Sequence, residues 1–192
     1  MNCLMQFLKS SYRGTLVCLL IYFIVNFWGC HSNPQLKSQI SPIQKGLVIG
    51  IIDGDTYDLI MSDRKTLRVR MNGIDAPEKG MPFYNVSKKY LAQLCFNKNI
   101  RLENVGVDNH GRTLALSYLD DGKELSHEMV KAGLAWHFKK YSSDSLLSNL
   151  EREAINSKIG LWSDQNPMPP WENRRLHRSG VSTKDSFALE NK

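Results

Sequence analysis

Cysteine is almost missing from the body of this chain. Of its four cysteines, Cys3, Cys18 and Cys30 fall in the first thirty residues and Cys95 stands alone beyond them. A folded domain with one cysteine forms no internal disulfide, whatever its compartment. No CxxC pair occurs, and the five histidines form neither an HExxH nor an HxH cluster, which argues against a zinc site. Neither a GxxxxGKS/T loop nor a GxGxxG loop is present, which argues against a nucleotide-driven enzyme. No internal repeat is evident. What remains is globular in composition, with 42% apolar and 23% charged residues, and 192 residues hold one domain after a leader and a tail are set aside. A formal charge of +6 and a pI near 9.1 tilt the chain toward a polyanionic partner.

Residues 1–30 read as a leader. Lys9 and Arg13 precede an apolar run, Gly14 to Gly29, the pattern of an export signal or an N-terminal membrane anchor. The run is slightly short for a span of ~20 residues and slightly long for the core of a cleaved signal. Cys30 follows Gly29 as the acylated cysteine does at bacterial lipoprotein cleavage sites, although Phe27 and Trp28 are bulky for that role. Residues 31–45 are polar and read as a linker.

From Gly46 the pattern turns to short β-branched runs. Gly46–Ile52, Tyr57–Met61 and Thr66–Ile74 read as an antiparallel meander separated by tight turns. Val86, Tyr90, Leu91 and Leu94 mark an amphipathic helix over 84–96. Two more strands follow at 100–107 and 113–119, then helices around Leu125–Val130 and Leu146–Ile155, the last stopped at Gly160. Five strands with a helix between the third and fourth is the layout of the OB-fold. The predicted class is therefore α+β, mainly β: a five-stranded, partly open Greek-key barrel with about three helices over 46–165. Residues 166–192 read as an extended, proline-bound tail, disordered from about Leu176, with Asn173 to Leu176 read as solvated and, in the alternative, as touching nucleic acid.

The chain is organised around Arg68 to Glu78, where an apolar strand carrying arginines runs into two carboxylates at a proline turn. Carboxylate oxygens suit a hard cation such as Ca²⁺ or Mg²⁺, and guanidinium forks grip phosphate bidentately. The competing reading is a strand ending in a salt-bridged turn. Asp53-Gly54-Asp55-Thr56 and Asp108-Asn-His-Gly-Arg112 supply further carboxylates and a second arginine. Taken singly, the first is a hairpin turn and the second a Gly turn with a surface arginine.

In order, Asp53–Thr56, Arg70–Glu78, Asp108–Arg112, Gly133–Ala135 and Gly160–Trp162 carry motifs that resemble those of the staphylococcal nuclease family. The resemblance covers about Gly46 to Trp162. It implies a Ca²⁺-dependent phosphodiesterase on an OB-fold that cuts DNA and RNA to leave 3′-phosphate ends. By motif, Asp55 and Asp75 would ligate Ca²⁺ together with the Ala76 carbonyl, with Asp53 behind them. Glu78 would orient or deprotonate the attacking water, and Arg70 and Arg112 would clamp the phosphorus. Asn109, His110 and Lys139 depart from the residues that contact the nucleotide in well-known members, while Tyr141 keeps its aromatic ring. His110 and Tyr141 are thus the expected base-stacking residues. The whole implies an exported protein, periplasmic or extracellular, a monomer acting on DNA and RNA, with a membrane tie through the leader. The alternatives are a catalytically silent OB-fold module that binds nucleic acid, and a membrane-anchored protein whose basic surface binds anionic lipid. Trp136 and Trp162 read as core or docking residues.

Overall fold

The computed structural model describes residues 44–181, so the leader and most of the linker lie outside the described residues, as does the tail from 182. The elements are β1 (Gln44–Ile51), β2 (Thr56–Met61), β3 (Thr66–Met71), β4 (Ile74–Asp75), α1 (Tyr84–Cys95), β5 (Asn99–Val107), β6 (Thr113–Tyr118), α2 (Leu125–Lys131), β7 (Trp136–His137), α3 (Ser145–Asn156), a 3₁₀ turn (Gly160–Ser163) and α4 (Pro170–Arg178). Among the described residues, no helix is long and apolar enough to cross a membrane.

Five strands close a barrel in the order β1-β2-β3-β6-β5, antiparallel except where β3 meets β6. The expected OB-type barrel is present, and it is closed rather than partly open. The β3–β6 ladder is the closure, pairing Val69 with Thr113 and Met71 with Ala115. Alternating residues point inward, as the two-residue period of a strand requires: Tyr57 and Leu59, Val69 and Met71, Ile100 and Leu102 are buried. Tyr57 Oη donates to Ser117 Oγ at 2.8 Å inside the barrel, so the one phenol in the core is satisfied. Bulges between Val48 and Gly50 and between Asn104 and Gly106 bend the two longest strands.

α1 buries Ser87, Leu91 and Cys95 against the barrel. Gly54 lies so close to it that a Cβ there would stand 1.9 Å from Ser87 Oγ and 2.8 Å from the Ala76 Cβ. The glycine of Asp-Gly-Asp is thus a close-approach residue as well as a turn residue. Gly133 and Gly160, both with positive φ, cross back to back: a Cβ at Gly160 would meet the Gly133 carbonyl at 2.2 Å. The two C-terminal motifs are one packing contact.

Two differences from the sequence reading matter for the site. The short pair β4–β7 sets Asp75 opposite Trp136 and Ile74 opposite His137. Glu151 of α3, buried, accepts from the His137 amide at 2.9 Å and from Lys139 Nζ at 2.6 Å, so α3 holds β7 and β7 holds Asp75. Second, the region after 165 is not extended to its end: Pro170–Arg178 is a fourth helix. Pro170 at its first position has the φ a helix start needs. Trp171 stacks face to face on Phe138 at 5.0 Å and meets Trp136 edge-on at 6.5 Å, while Trp136 meets Trp162 edge-on at 5.6 Å. The tryptophans are docking residues, and the helix they dock is the one that periodicity did not reveal.

His137 is itself a test of this support. Its imidazole is buried, with Nδ1 3.0 Å from Ser148 Oγ and Nε2 without a partner among the described residues. Burial lowers its pKa from 6.5, so the unfolded chain takes up a proton that the folded chain refuses. The contribution to stability is therefore full above the unfolded value and is lost as pH falls below it. Melting temperature is expected to drop on acidification through that range, and His137→Gln to flatten this part of the profile. A profile unchanged by the substitution overturns the assignment.

Candidate active site

One end of the barrel gathers the three clusters. The β1–β2 loop brings Asp53 and Asp55, the end of β3 and β4 bring Arg70, Asp75 and Glu78, and the β5–β6 loop brings Asp108 and Arg112. Register does the placing: Thr56 pairs with Arg70, and the Met71 amide donates to the Asp55 carbonyl at 2.9 Å. Arg70 therefore emerges beside Asp55.

Arg70 is the hub. Its Nη1 lies 2.9 Å from Asp55 Oδ2 and donates to the carbonyls of Ile74 (2.9 Å) and Met71 (3.3 Å), while Nη2 donates to Asp75 Oδ1 at 2.9 Å. Asp55 Oδ2 also accepts from the Ala76 amide at 2.6 Å, and Oδ1 from Thr56 Oγ1 at 2.9 Å. Asp55, Asp75 and Ala76 are all buried. Burial pushes the Asp55 carboxyl up to about 8, against the pull of Arg70 and with the help of Asp53 and Asp75. Burial likewise raises Asp75, although Arg174 and Arg70 oppose it. Two carboxyl groups held out of water, where burial disfavours their charge until a cation compensates it, and an all-oxygen donor set with the Ala76 carbonyl, fit a hard divalent cation.

Glu78 stands at the rim, half-buried. Arg174 of α4 bridges it to the interior: Nη1 lies 2.6 Å from Glu78 Oε1 and Nη2 2.6 Å from Asp75 Oδ2. Asn173 Nδ2 donates to Glu78 Oε2 at 3.3 Å. Arg112 is held by its own loop, since Asp108 Oδ2 accepts from Arg112 Nε at 2.6 Å and Asp108 Oδ1 from the amides of His110 and Arg112 at 2.9 Å each. These hydrogen bonds outweigh the burial that opposes them and keep Asp108 below the usual carboxylate range.

Asp53, Asp55, Arg70, Asp75, Glu78, Arg112 and Arg174 line one groove of about 1010 Å³, with exposed His110 and Tyr141 on its rim. Tyr141 is braced edge-on against Phe138 at 4.9 Å, so its ring is presented rather than buried. Lys139 is spent on Glu151 instead. In the groove Asp53, Asp55, Asp75, Glu78 and Asp108 face Arg68, Arg70, Arg112 and Arg174, and Arg68 is already paired with Asp58 at 2.8 Å. The guanidiniums of the groove are thus matched by acids, and little positive charge is left over for a phosphate chain until a cation enters.

A second acidic group lies elsewhere. His127 Nε2 stands 3.0 Å from Asp144 Oδ2 and 3.4 Å from Glu124 Oε2, the one place among the described residues where three such donors converge within 4.8 Å. Its contacts are those of an ion-pair bridge: Asp144 Oδ1 caps α3 through the amides of Leu146 and Leu147, and His127 ties that cap to α2.

The sequence-predicted residues thus divide. Asp55, Asp75, Ala76, Arg70 and Glu78 form one cluster, Arg112 stands on the opposite loop, and His110 and Tyr141 sit on the rim. Arg70 is 12% exposed and occupied by protein partners, a deeper setting than a bare phosphate clamp. Missed by periodicity were Asn173 and Arg174, which are part of the site and not of a solvated tail. The local signal for a helix there is Pro170 followed by Glu172 and a basic end, the start and stop marks of a short helix.

An OB-type barrel with carboxylates and guanidiniums gathered at one end defines a hydrolase class acting on phosphodiesters, and the comparisons specify which. The family model described as staphylococcal nuclease homologue matches residues 68–164. A Haemophilus influenzae protein named an uncharacterized endonuclease is 42% identical over 135 residues, 70% of this chain and 75% of that protein. An Escherichia coli protein of the same name is 39% identical over 126 residues, 66% of this chain and 82% of its own length. A Shigella flexneri micrococcal nuclease is 36% identical over 148 residues, 72% and 84% of the two chains. The chain belongs to the staphylococcal nuclease homologue family, and it is a nuclease hydrolase of a metal-dependent kind.

Proposed function

We propose that this chain is a Ca²⁺-dependent endonuclease that hydrolyses DNA and RNA and leaves 3′-phosphate ends. The observation that carries the reading is the groove in which buried Asp55 and Asp75 flank Arg70, with Glu78 at the rim and Arg112 opposite. Asp55, Asp75 and the Ala76 carbonyl would hold the cation, which would neutralise charge building on the phosphate oxygens. Glu78 holds or removes the proton of the attacking water. Arg112, anchored through Nε, keeps its terminal nitrogens for the phosphate, and Arg70 fixes both metal carboxylates in place. His110 and Tyr141 offer rings to the bases on either side. Few protein carboxylates imply weak calcium binding, in the millimolar range of extracellular sites.

Such an affinity suits export, which the positively flanked apolar run of the leader also supports. We read the protein as a periplasmic or extracellular monomer, with the leader cleaved, lipidated at Cys30 or retained as an anchor.

The test is digestion of plasmid DNA and of RNA by the full chain with Ca²⁺, then with excess chelator. Cleavage of both substrates that stops with chelator, and that leaves 5′ ends a kinase labels directly but DNA 3′ ends that terminal transferase extends only after phosphatase treatment, is the expected result. No cleavage by a folded chain that still binds DNA overturns it in favour of a silent module. A purely cytosolic pool on fractionation overturns the export reading.

A further inference from the structure

We propose that Arg174 is a positioning residue of this centre: an internal cation that holds Glu78 and competes with the divalent ion for Asp75. The proposal rests on the metal-dependent reading above and goes further, because nothing in the five motifs includes α4. Arg174 is not a stray contact of a loose tail. Trp171, three residues earlier, is stacked on Phe138 at 5.0 Å, and its neighbour Asn173 is 4% exposed. The helix is docked, and the docking aims Nη2 at Asp75 Oδ2 and Nη1 at Glu78 Oε1, each at 2.6 Å.

Both oxygens of Asp75 are consequently taken by guanidiniums, Oδ1 by Arg70 and Oδ2 by Arg174. The two arginines differ in how readily they can yield. Arg70 is 12% exposed and tied to two carboxylates and two carbonyls, so it belongs to the barrel. Arg174 is 35% exposed on a nine-residue helix, and its guanidinium bonds two carboxylates among the described residues, those of Asp75 and Glu78. Asp75 would hold a divalent ion only by sharing or giving up an oxygen that a guanidinium now occupies, and like charges at this range repel strongly where water is scarce. Arg174 is the group that gives way. Tethered by Trp171, it stays at the mouth of the groove with a free fork, where a phosphate arrives.

The sign of the effect separates this role from a structural one. Loss of fold weakens cation binding, whereas loss of a competing cation tightens it. Calorimetric titration of Ca²⁺ into the full chain, without nucleic acid, is expected to show about 10- to 100-fold tighter binding for Arg174→Ala, the worth of the charge-assisted bonds the ion no longer displaces. Arg174→Gln, which keeps a polar side chain without the charge, is expected to tighten binding in the same direction, and Arg174→Lys to stay nearer wild type. Circular dichroism melts identify any variant that fails to fold, in which case the glutamine variant decides. Unchanged or weaker affinity in folded Arg174→Ala and Arg174→Gln overturns the proposal; if the wild type still cleaves with calcium, the nuclease reading stands. A wild-type chain that binds no divalent cation overturns both.

Discussion

Glu78→Gln is expected to lower the rate of phosphodiester cleavage by about 10²–10⁴-fold, the usual worth of a positioned general base. Glutamine has the same shape and can still accept a hydrogen bond from Arg174, which lies 2.6 Å from Glu78 Oε1 and also holds Asp75. What it cannot do is accept a proton from water. The carboxylate sits at the rim of the groove, between buried Asp55 and Asp75 and solvent, so a water can reach it while its partners stay fixed. Stability should barely move, because the pair is partly exposed and the Arg174–Asp75 bond survives. The measurement is kcat on plasmid at saturating Ca²⁺, alongside a melt. A kcat within a few-fold of wild type removes Glu78 from proton transfer and leaves it the smaller task of positioning Arg174.

The parts of this centre that could be read from sequence are those whose residues lie near one another in the chain. Arg70, Asp75, Ala76 and Glu78 fall within nine positions, and the β-branched runs around them specify strands by their own period. Which loops share a barrel end follows once five strands are assigned to an OB layout, so Asp55 and Arg112 were reachable too. Beyond reach were pairings made only by closure. β7 is two residues long, with no period to detect, yet it fixes Asp75 through a ladder with Trp136. α4 is polar, short and entered through Pro167-Met-Pro-Pro170, which locally favours extended backbone. Its stability comes from Trp171 on Phe138, a contact 33 positions away in sequence (171 − 138), so local propensity could not announce it. Hence local pattern favours a solvated Arg174, although its guanidinium bridges Asp75 and Glu78.

Arg70→Ala is expected to fail twice, and the two failures can be measured apart. Sequence alone implies only a loss of rate with the fold intact: removal of one preorganised donor, about 10²–10³-fold. The structure adds a cost to folding. Arg70 separates two buried carboxylates, bonding Asp55 and Asp75 at 2.9 Å each and capping the carbonyl of Ile74 at 2.9 Å. Alanine leaves Asp55 buried without its cation and Asp75 with Arg174 alone, and removing one partner of such a buried pair costs about 3–5 kcal/mol. That is a large share of a domain's roughly 5–15 kcal/mol of total stability. Because the deficit is uncompensated negative charge, Ca²⁺ should restore part of it by binding the folded state at the same carboxylates, and chelator should remove the gain. Arg70→Lys keeps a charge but loses the fork that serves two acids at once, so it should recover stability more than rate. Denaturant melts with and without Ca²⁺ for wild type, Arg70→Ala and Arg70→Lys decide the matter. If alanine leaves the metal-free melt at the wild-type midpoint, Arg70 is not the strut between Asp55 and Asp75, and its contribution lies with the substrate alone.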